Sequence, residues 1–259
     1  MRGVRIKPSL EEVDRRLRRI YRRSRLGNPR DPLSDLIFIL LSAQTEEYNY
    51  QRTYRALRRR FRSWSGVRAA GVEQVYETIL IGGLGRKKAR QIIDLLTDLA
   101  RRRGAPSLAY LRRLPDDDAM RELESLPGVG HKTASCVMLY ALDRPVFPVD
   151  THVWRVLGRL GVAPRKPINA SLARSLEAIV PRRLRYRLHV NLVLHGRATC
   201  TATRPRCASC PLDDLCPKIG VVEIRQEADI LALRSSSRGA TVRQNNGRRA
   251  RDLPRLEVR

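Results

Sequence analysis

The feature that most limits how this chain can fold is the steady return of Pro and Gly within a pattern that is otherwise helical. Apolar residues recur at helix spacing in Val13, Leu17, Ile20 and Tyr21, in Val75, Ile79 and Leu80, and in Ile92, Leu95, Leu96 and Leu99. Strand alternation is nowhere sustained. Breaks fall at Gly27–Pro32, Gly82–Gly85, Gly104–Pro106, Pro115, Pro127–Gly130, Pro145–Pro148, Pro164–Pro167 and Pro181. The pattern predicts an all-α chain of about ten short helices. Past Cys216 the character changes to Ser235-Ser236-Ser237, Asn245-Asn246-Gly247 and scattered Arg, which predicts a short helix near 224–233 and then a disordered basic tail.

Lys and Arg number 52 against 26 acidic residues, a formal charge of +26 that far exceeds what solubility needs. A polyanion is the partner this implies. Arg dominates, and its planar fork grips phosphate oxygens in pairs, so a nucleic-acid backbone fits better than a diffuse acidic surface. Arg usage on a solvated surface is the plainer alternative. The longest apolar run, Leu36 to Leu41, is too short to cross a bilayer, and Glu11, Glu12 and Asp14 interrupt the acid-poor pattern of a transit peptide. The expectation is a soluble cytoplasmic protein with no membrane partner. Four of the five cysteines crowd into one segment, which in a reducing compartment points to a metal rather than to disulfides.

Two segments echo each other. Gly83-Leu84-Gly85-Arg86-Lys87-Lys88-Ala89 and Gly128-Val129-Gly130-His131-Lys132-Thr133-Ala134 both read G-hydrophobe-G-x-K-x-A before an apolar helix. Gly128 and Gly130 permit positive φ and a close backbone approach, so free N–H groups at the helix start can face a phosphate. Alone, such a hairpin says only that DNA can be held. Lys132 is followed 18 residues later by Asp150, in Phe147-Pro148-Val149-Asp150-Thr151-His152-Val153. Neighbouring cations and a helix start are expected to loosen the lysine's proton and favour a nucleophilic amine. Asp150 also reads as the N-cap of a helix starting at Thr151, and Lys132 as a simple phosphate contact.

Leu126 to Ala134 followed by Phe147 to Gly161 resembles the helix-hairpin-helix, Gly/Pro-rich and aspartate signature of the endonuclease III family, and the likeness runs from about Leu33 to Cys216. It implies a two-lobed helix-hairpin-helix DNA glycosylase fold with DNA held between the lobes. It also implies that Lys132 attacks the sugar C1′ of a damaged nucleotide while Asp150 assists deprotonation and stabilises positive charge. Leu41-Ser42-Ala43-Gln44-Thr45 resembles the segment that supplies a strand-inserting glutamine, here Gln44, and Gly83-Leu84 the turn whose leucine wedges into the duplex. Gly128, Val129, Gly130, His131 and Thr133 would contact the DNA backbone. Lys87 lacks a matching aspartate and is set aside.

Cys200, Cys207, Cys210 and Cys216 have the spacing C-x6-C-x2-C-x5-C, which by itself suits either a cubane cluster or zinc. The run led by His195-Gly196-Arg197 resembles the endonuclease III [4Fe-4S] loop, and the resemblance implies that cluster. Arg204 and Arg206, between the first two cysteines, are candidate phosphate contacts, with a solvated pair as the alternative. Cys136 reads as a buried small hydrophobe. His131, His152, His189 and His195 are too scattered to suggest a metal site.

The resemblance predicts a bifunctional glycosylase/AP lyase acting as a monomer on double-stranded DNA that carries damaged bases, oxidised pyrimidines above all, or abasic sites. Residues 32–147 would form a six-helix domain, 1–31 with 148–218 a discontinuous cluster domain, and 219–259 the tail. One alternative is a mismatch-directed adenine or thymine glycosylase; the chain has only Ile37 to Leu41 where adenine glycosylases carry a glutamate. Another is a catalytically silent DNA-binding module, which would lack Lys132 or Asp150. Glu46-Glu47-Tyr48 and Val190-Asn191 depart from the oxidised-pyrimidine pattern.

Overall fold

The computed structural model describes residues 8–22, 25–164 and 167–221. The helix expected near 224–233 and nearly all of the tail lie outside them. Two units are distinguished, Met1–Ile219 and Gly220–Arg259, and every described helix belongs to the first. Among the described residues there are ten α-helices, four short 3-10 turns and no strand, as the punctuated pattern predicts. No helix there is long and apolar enough to cross a membrane.

Helix α2 (Pro32–Ser42) is the axis of the core. Asp31 caps it, accepting from Ser34 N–H at 2.8 Å, and Pro32 supplies a preset φ at its first position. Its residues from Leu36 to Leu41 are apolar on every side and all buried, which only a central helix tolerates. Around it pack α3 (Glu47–Arg60) and α7 (His131–Tyr140), with α4 (Trp64–Ile79), α5 (Arg86–Arg103) and α6 (Asp116–Glu124) completing the group. Gly71, at φ 75°, breaks α4 in mid-course without any proline to announce it.

A second set of contacts joins α8 (Thr151–Arg159) and α1 (Leu10–Ile20) to α10 (Arg185–Ala198), while α9 (Ala170–Ile179) precedes α10 in the chain. Leu10, Val13 and Leu17 are the buried stripe of α1. Asp14 accepts from Arg187 across this contact at 2.9 Å, and Arg16 reaches Asp214 at 2.5 Å and the Pro211 carbonyl at 3.2 Å. The first helix is thereby tied to the last cysteine loop. Gly196 lets α8 and α10 touch, since a Cβ there would lie 2.8 Å from that of His152.

Candidate functional site

The two echoing segments share one backbone form. Gly83 and Gly128 have φ of 73° and 72°, in the left-handed region, and Gly85 and Gly130 are extended N-caps at −88° and −96°. No side chain caps α5 or α7, so the N–H groups of each first turn remain available to an anion. Gln91 joins the hairpins: its amide donates to the Gly128 carbonyl at 3.0 Å while its oxygen accepts from Lys88 at 3.2 Å. A Cβ on Gly128 would fall 2.3 Å from that amide nitrogen. Gly128→Ala is therefore expected to cost about 1–2 kcal/mol in left-handed strain and to break the Gln91 bond, lowering both the melting temperature and DNA affinity. Gly130→Ala, with negative φ and no atom within 4 Å, should leave the melting temperature unchanged. Equal melting of the two variants would refute the left-handed requirement.

Lys132, in the first turn of α7, and Asp150, ahead of α8, come together. Both line a small inner cavity of about 50 Å³, with Asn28, Cys136, Tyr140 and Arg197 among its walls. Both also face an open cleft of about 850 Å³ that includes Gln44, Thr45, His152 and Arg155. Asp150 caps α8 as its position suggests, accepting from Val153 N–H at 2.8 Å. The extended segment before it is held at three points. Phe147 N–H donates to Glu177 at 2.8 Å, Arg185 donates to the Pro145 carbonyl at 2.5 Å, and His189 Nδ1 donates to the Pro148 carbonyl at 2.9 Å. Since a carbonyl can only accept, Nδ1 carries a proton, and with the ring kept neutral by burial the other His189 nitrogen accepts from the Tyr140 hydroxyl, 2.6 Å away. That burial pushes His189 down to about 4.

Burial also works against charge on Asp150, but the Val153 N–H and Lys132, joined by His189 and His152 at the acid pH where those rings carry a second proton, outweigh it and hold the carboxyl below the usual aspartate range. Folding gives Lys132 neighbours that the sequence-based expectation lacked, and with Cys136 ionised they hold its proton more tightly than usual. The largest influence is the Cys136 sulfur; burial opposes it, and Asp150 comes third. Burial raises Cys136 to about 11, so at neutral pH it is an uncharged thiol whose pull on the Lys132 proton is gone, which leaves Asp150 holding that proton against burial. The resting pair is an ammonium beside a carboxylate.

Gln44 is exposed, with φ of 60°, a left-handed conformation that a non-glycine residue adopts at a cost. It shares a second cleft, of about 680 Å³, with Gly82 to Gly85, Lys87 and Lys88. Leu84 lines this cleft yet is only 8% exposed, packed like its counterpart Val129; the apolar side chains already at the surface of this turn are Leu80 (52%) and Ile81 (43%). His131 lies 2.7 Å from Glu124, and Thr133 is half-buried.

The four cysteines sit in one loop after α10, each with a free thiol. Among the described residues, no group of three or more His, Cys, Asp or Glu side chains is placed to hold a metal ion. Donors nonetheless aim at the sulfurs. Leu212 N–H approaches Cys210 Sγ and Lys218 N–H approaches Cys216 Sγ, each at 3.4 Å; Arg159 approaches Cys200 Sγ at 3.2 Å, and His195 Nε2 is 3.6 Å from Cys210 Sγ. A thiol accepts poorly and a thiolate well, so these surroundings suit metal-bound thiolates. Burial pushes Cys210 up to about 11, a cost that a cationic metal centre would remove. Arg155 and Arg159 of α8 buttress the loop through the carbonyls of Cys200, Thr201 and Ala202 at 2.7–2.9 Å. Arg204 and Arg206 are exposed on it.

Sequence reasoning passed over Asn28, Asp35, Gln91 and the His189–Tyr140 pair, which lie outside the quoted motifs, and gave no role to Arg155 and Arg159 within the Phe147 to Gly161 segment. Residues 37–182 match the HhH-GPD superfamily of base excision DNA repair proteins. Endonuclease III of Treponema pallidum (strain Nichols) is 38% identical over 189 residues, covering 73% of this chain and 85% of that protein. Two solved structures are 28% identical, a non-covalent endonuclease III–DNA complex and a trapped endonuclease III–DNA covalent intermediate. The first has a TM-score of 0.71 and covers 82% of this chain and 96% of that one. The second has a TM-score of 0.70 and covers 82% and 97%. With the hairpin, its lysine and the capping aspartate inside the matched span, the chain belongs to the HhH-GPD superfamily of base excision DNA repair proteins.

Proposed function

We propose that the chain is an endonuclease III-like bifunctional DNA glycosylase and AP lyase, acting in the cytoplasm as a monomer on double-stranded DNA with oxidised pyrimidines or abasic sites. One observation carries this reading: Lys132 and Asp150 together line both a small inner cavity and an open cleft. A base in a duplex must leave the stack to reach such a cavity. Gln44, already held in a strained backbone at the cleft edge, fills the gap it leaves. Leu84 does so from the other side once its turn shifts, with Leu80 and Ile81 next to it at the surface. The unpaired N–H groups following Gly128, Val129 and Gly130, with His131 and Thr133, grip the backbone beside the lesion, and Arg204 and Arg206 grip further phosphates.

The chemistry begins with a proton. Lys132 gives up its extra proton through Asp150 or to the departing base, and the freed amine bonds to C1′ as the glycosidic bond breaks and its electron pair leaves with the base. Asp150 stabilises the positive charge that develops on the sugar. Opening of the sugar ring makes the lysine adduct an imine, and loss of a C2′ proton then expels the 3′ phosphate, nicking the strand.

The four cysteines Cys200, Cys207, Cys210 and Cys216 would hold a [4Fe-4S] cluster that fixes the loop bearing Arg204 and Arg206. The two sets of helix contacts support the division into 32–147 and 1–31 with 148–218, leaving 219–259 as the tail. The test is a panel of duplexes containing thymine glycol, uracil, 8-oxoguanine or an abasic site. Cleavage at thymine glycol and at the abasic site is expected, and a protein that cleaves neither would overturn the reading.

A further inference from the structure

Asn28 and Asp35 form a polar pair that the lysine chemistry leaves unused. Asp35 lies one turn into α2 and is 0% exposed. One carboxyl oxygen is 2.7 Å from the Asn28 amide nitrogen; the other is buried and has no hydrogen-bond partner among the described residues. A carboxylate left so incompletely paired in the core is costly, and burial drives the group toward its protonated form. A carboxylic acid must find an acceptor for its O–H, and Asn28 is the side chain hydrogen-bonded to it. A half-turn of the Asn28 amide reverses the polarity of the bond. The Asn28 oxygen then accepts the acid proton, and what stays unpaired on Asp35 is a carbonyl-type oxygen, the cheaper group to leave unmade.

That arrangement frees the Asn28 NH₂ from Asp35, and Asn28 shares the wall of the inner cavity with Lys132, Asp150, Tyr140 and Arg197. Resting on the reading that this cavity receives the extruded base, we propose that Asn28, held by Asp35, reads that base by donating to a ring carbonyl oxygen. The site then selects carbonyl-bearing bases, such as thymine- and uracil-derived lesions, over adenine-type bases that lack the oxygen. Asn28 is a specificity residue and Asp35 its positioning residue.

The test separates base reading from lysine chemistry by offering two substrates, a thymine glycol duplex and a duplex with a preformed abasic site, which has no base to read. Asn28→Leu should slow thymine glycol removal by ~10–100-fold, the loss of one buried hydrogen bond, while borohydride trapping on the abasic duplex stays within about twofold of wild type. Asp35→Asn, neutral and of the same shape, should keep excision within about threefold, since an amide can also donate to the Asn28 oxygen. Asp35→Leu should fall with Asn28→Leu; if it does not fold, the other two variants decide. Unchanged excision by Asn28→Leu overturns the proposal, as does an equal loss on both substrates. Wild-type protein that neither excises nor traps would instead overturn the glycosylase reading, and this inference with it.

Discussion

Lys132→Ala is expected to abolish the borohydride-trapped protein–DNA adduct and to lower strand nicking by at least about a thousandfold, the scale on which removal of a nucleophile acts. DNA binding should change little, because one cation is lost from a chain with a formal charge of +26. The fold should survive as well: Lys132 faces the cleft in the first turn of α7, and alanine is a good helix former. Gel analysis of the trapped adduct beside a filter-binding curve checks both parts. Trapping at the wild-type level would remove Lys132 from the chemistry. Lys88 would then be the amine to examine, since burial and Lys87 both loosen its proton.

Asp150→Asn isolates charge from structure. Asparagine caps a helix as well as aspartate does, so the Val153 N–H keeps its acceptor and α8 keeps its start. Base excision should nevertheless fall by about 10²–10³-fold, because the developing positive charge on the sugar loses its counter-ion. A second readout follows from the proton on Lys132. Asp150 favours the ammonium, so its removal lowers the lysine pKa and makes the free amine available at lower pH. Trapping on an abasic duplex, measured across pH, should show its rising limb displaced toward acid. A profile that stays in place or moves toward alkali would mean that Asp150 does not retain that proton, and full excision activity would leave it as a cap alone.

What the sequence disclosed was mostly local. The repeated G-hydrophobe-G-x-K-x-A segment became two turns with the same dihedral angles, because glycine at those points is the chain's own solution to a left-handed turn. Asp150 as a cap was equally visible, being decided within four residues. Gly71 was not, since one glycine within a helical pattern is ordinarily tolerated there. The pull of Asp150 on the Lys132 proton could not be seen either: the nearby cations were legible along the chain, whereas the approach of Asp150 depended on folding. The same applies to Gln91 on Gly128, to Asn28 on Asp35 and to Arg159 behind the cysteines, each pairing residues that lie 7 to 41 positions apart.

The tie between the first helix and the cysteine loop bears on the order in which the molecule is made. Tyr21 meets His195 at 3.1 Å across 174 residues, and Arg16 meets Asp214 across 198. A ribosome adding roughly 5–20 residues per second needs about 10–35 s to cover the first of these separations. During that interval the helices from α2 to α7 have their neighbours in hand, while the apolar stripe of Leu10, Val13 and Leu17 still lacks its partner α10. Helix α1 is therefore synthesised well before its partner and is among the last of the described helices to be buried. For that period its exposed stripe is a surface that chaperones can hold and proteases can find.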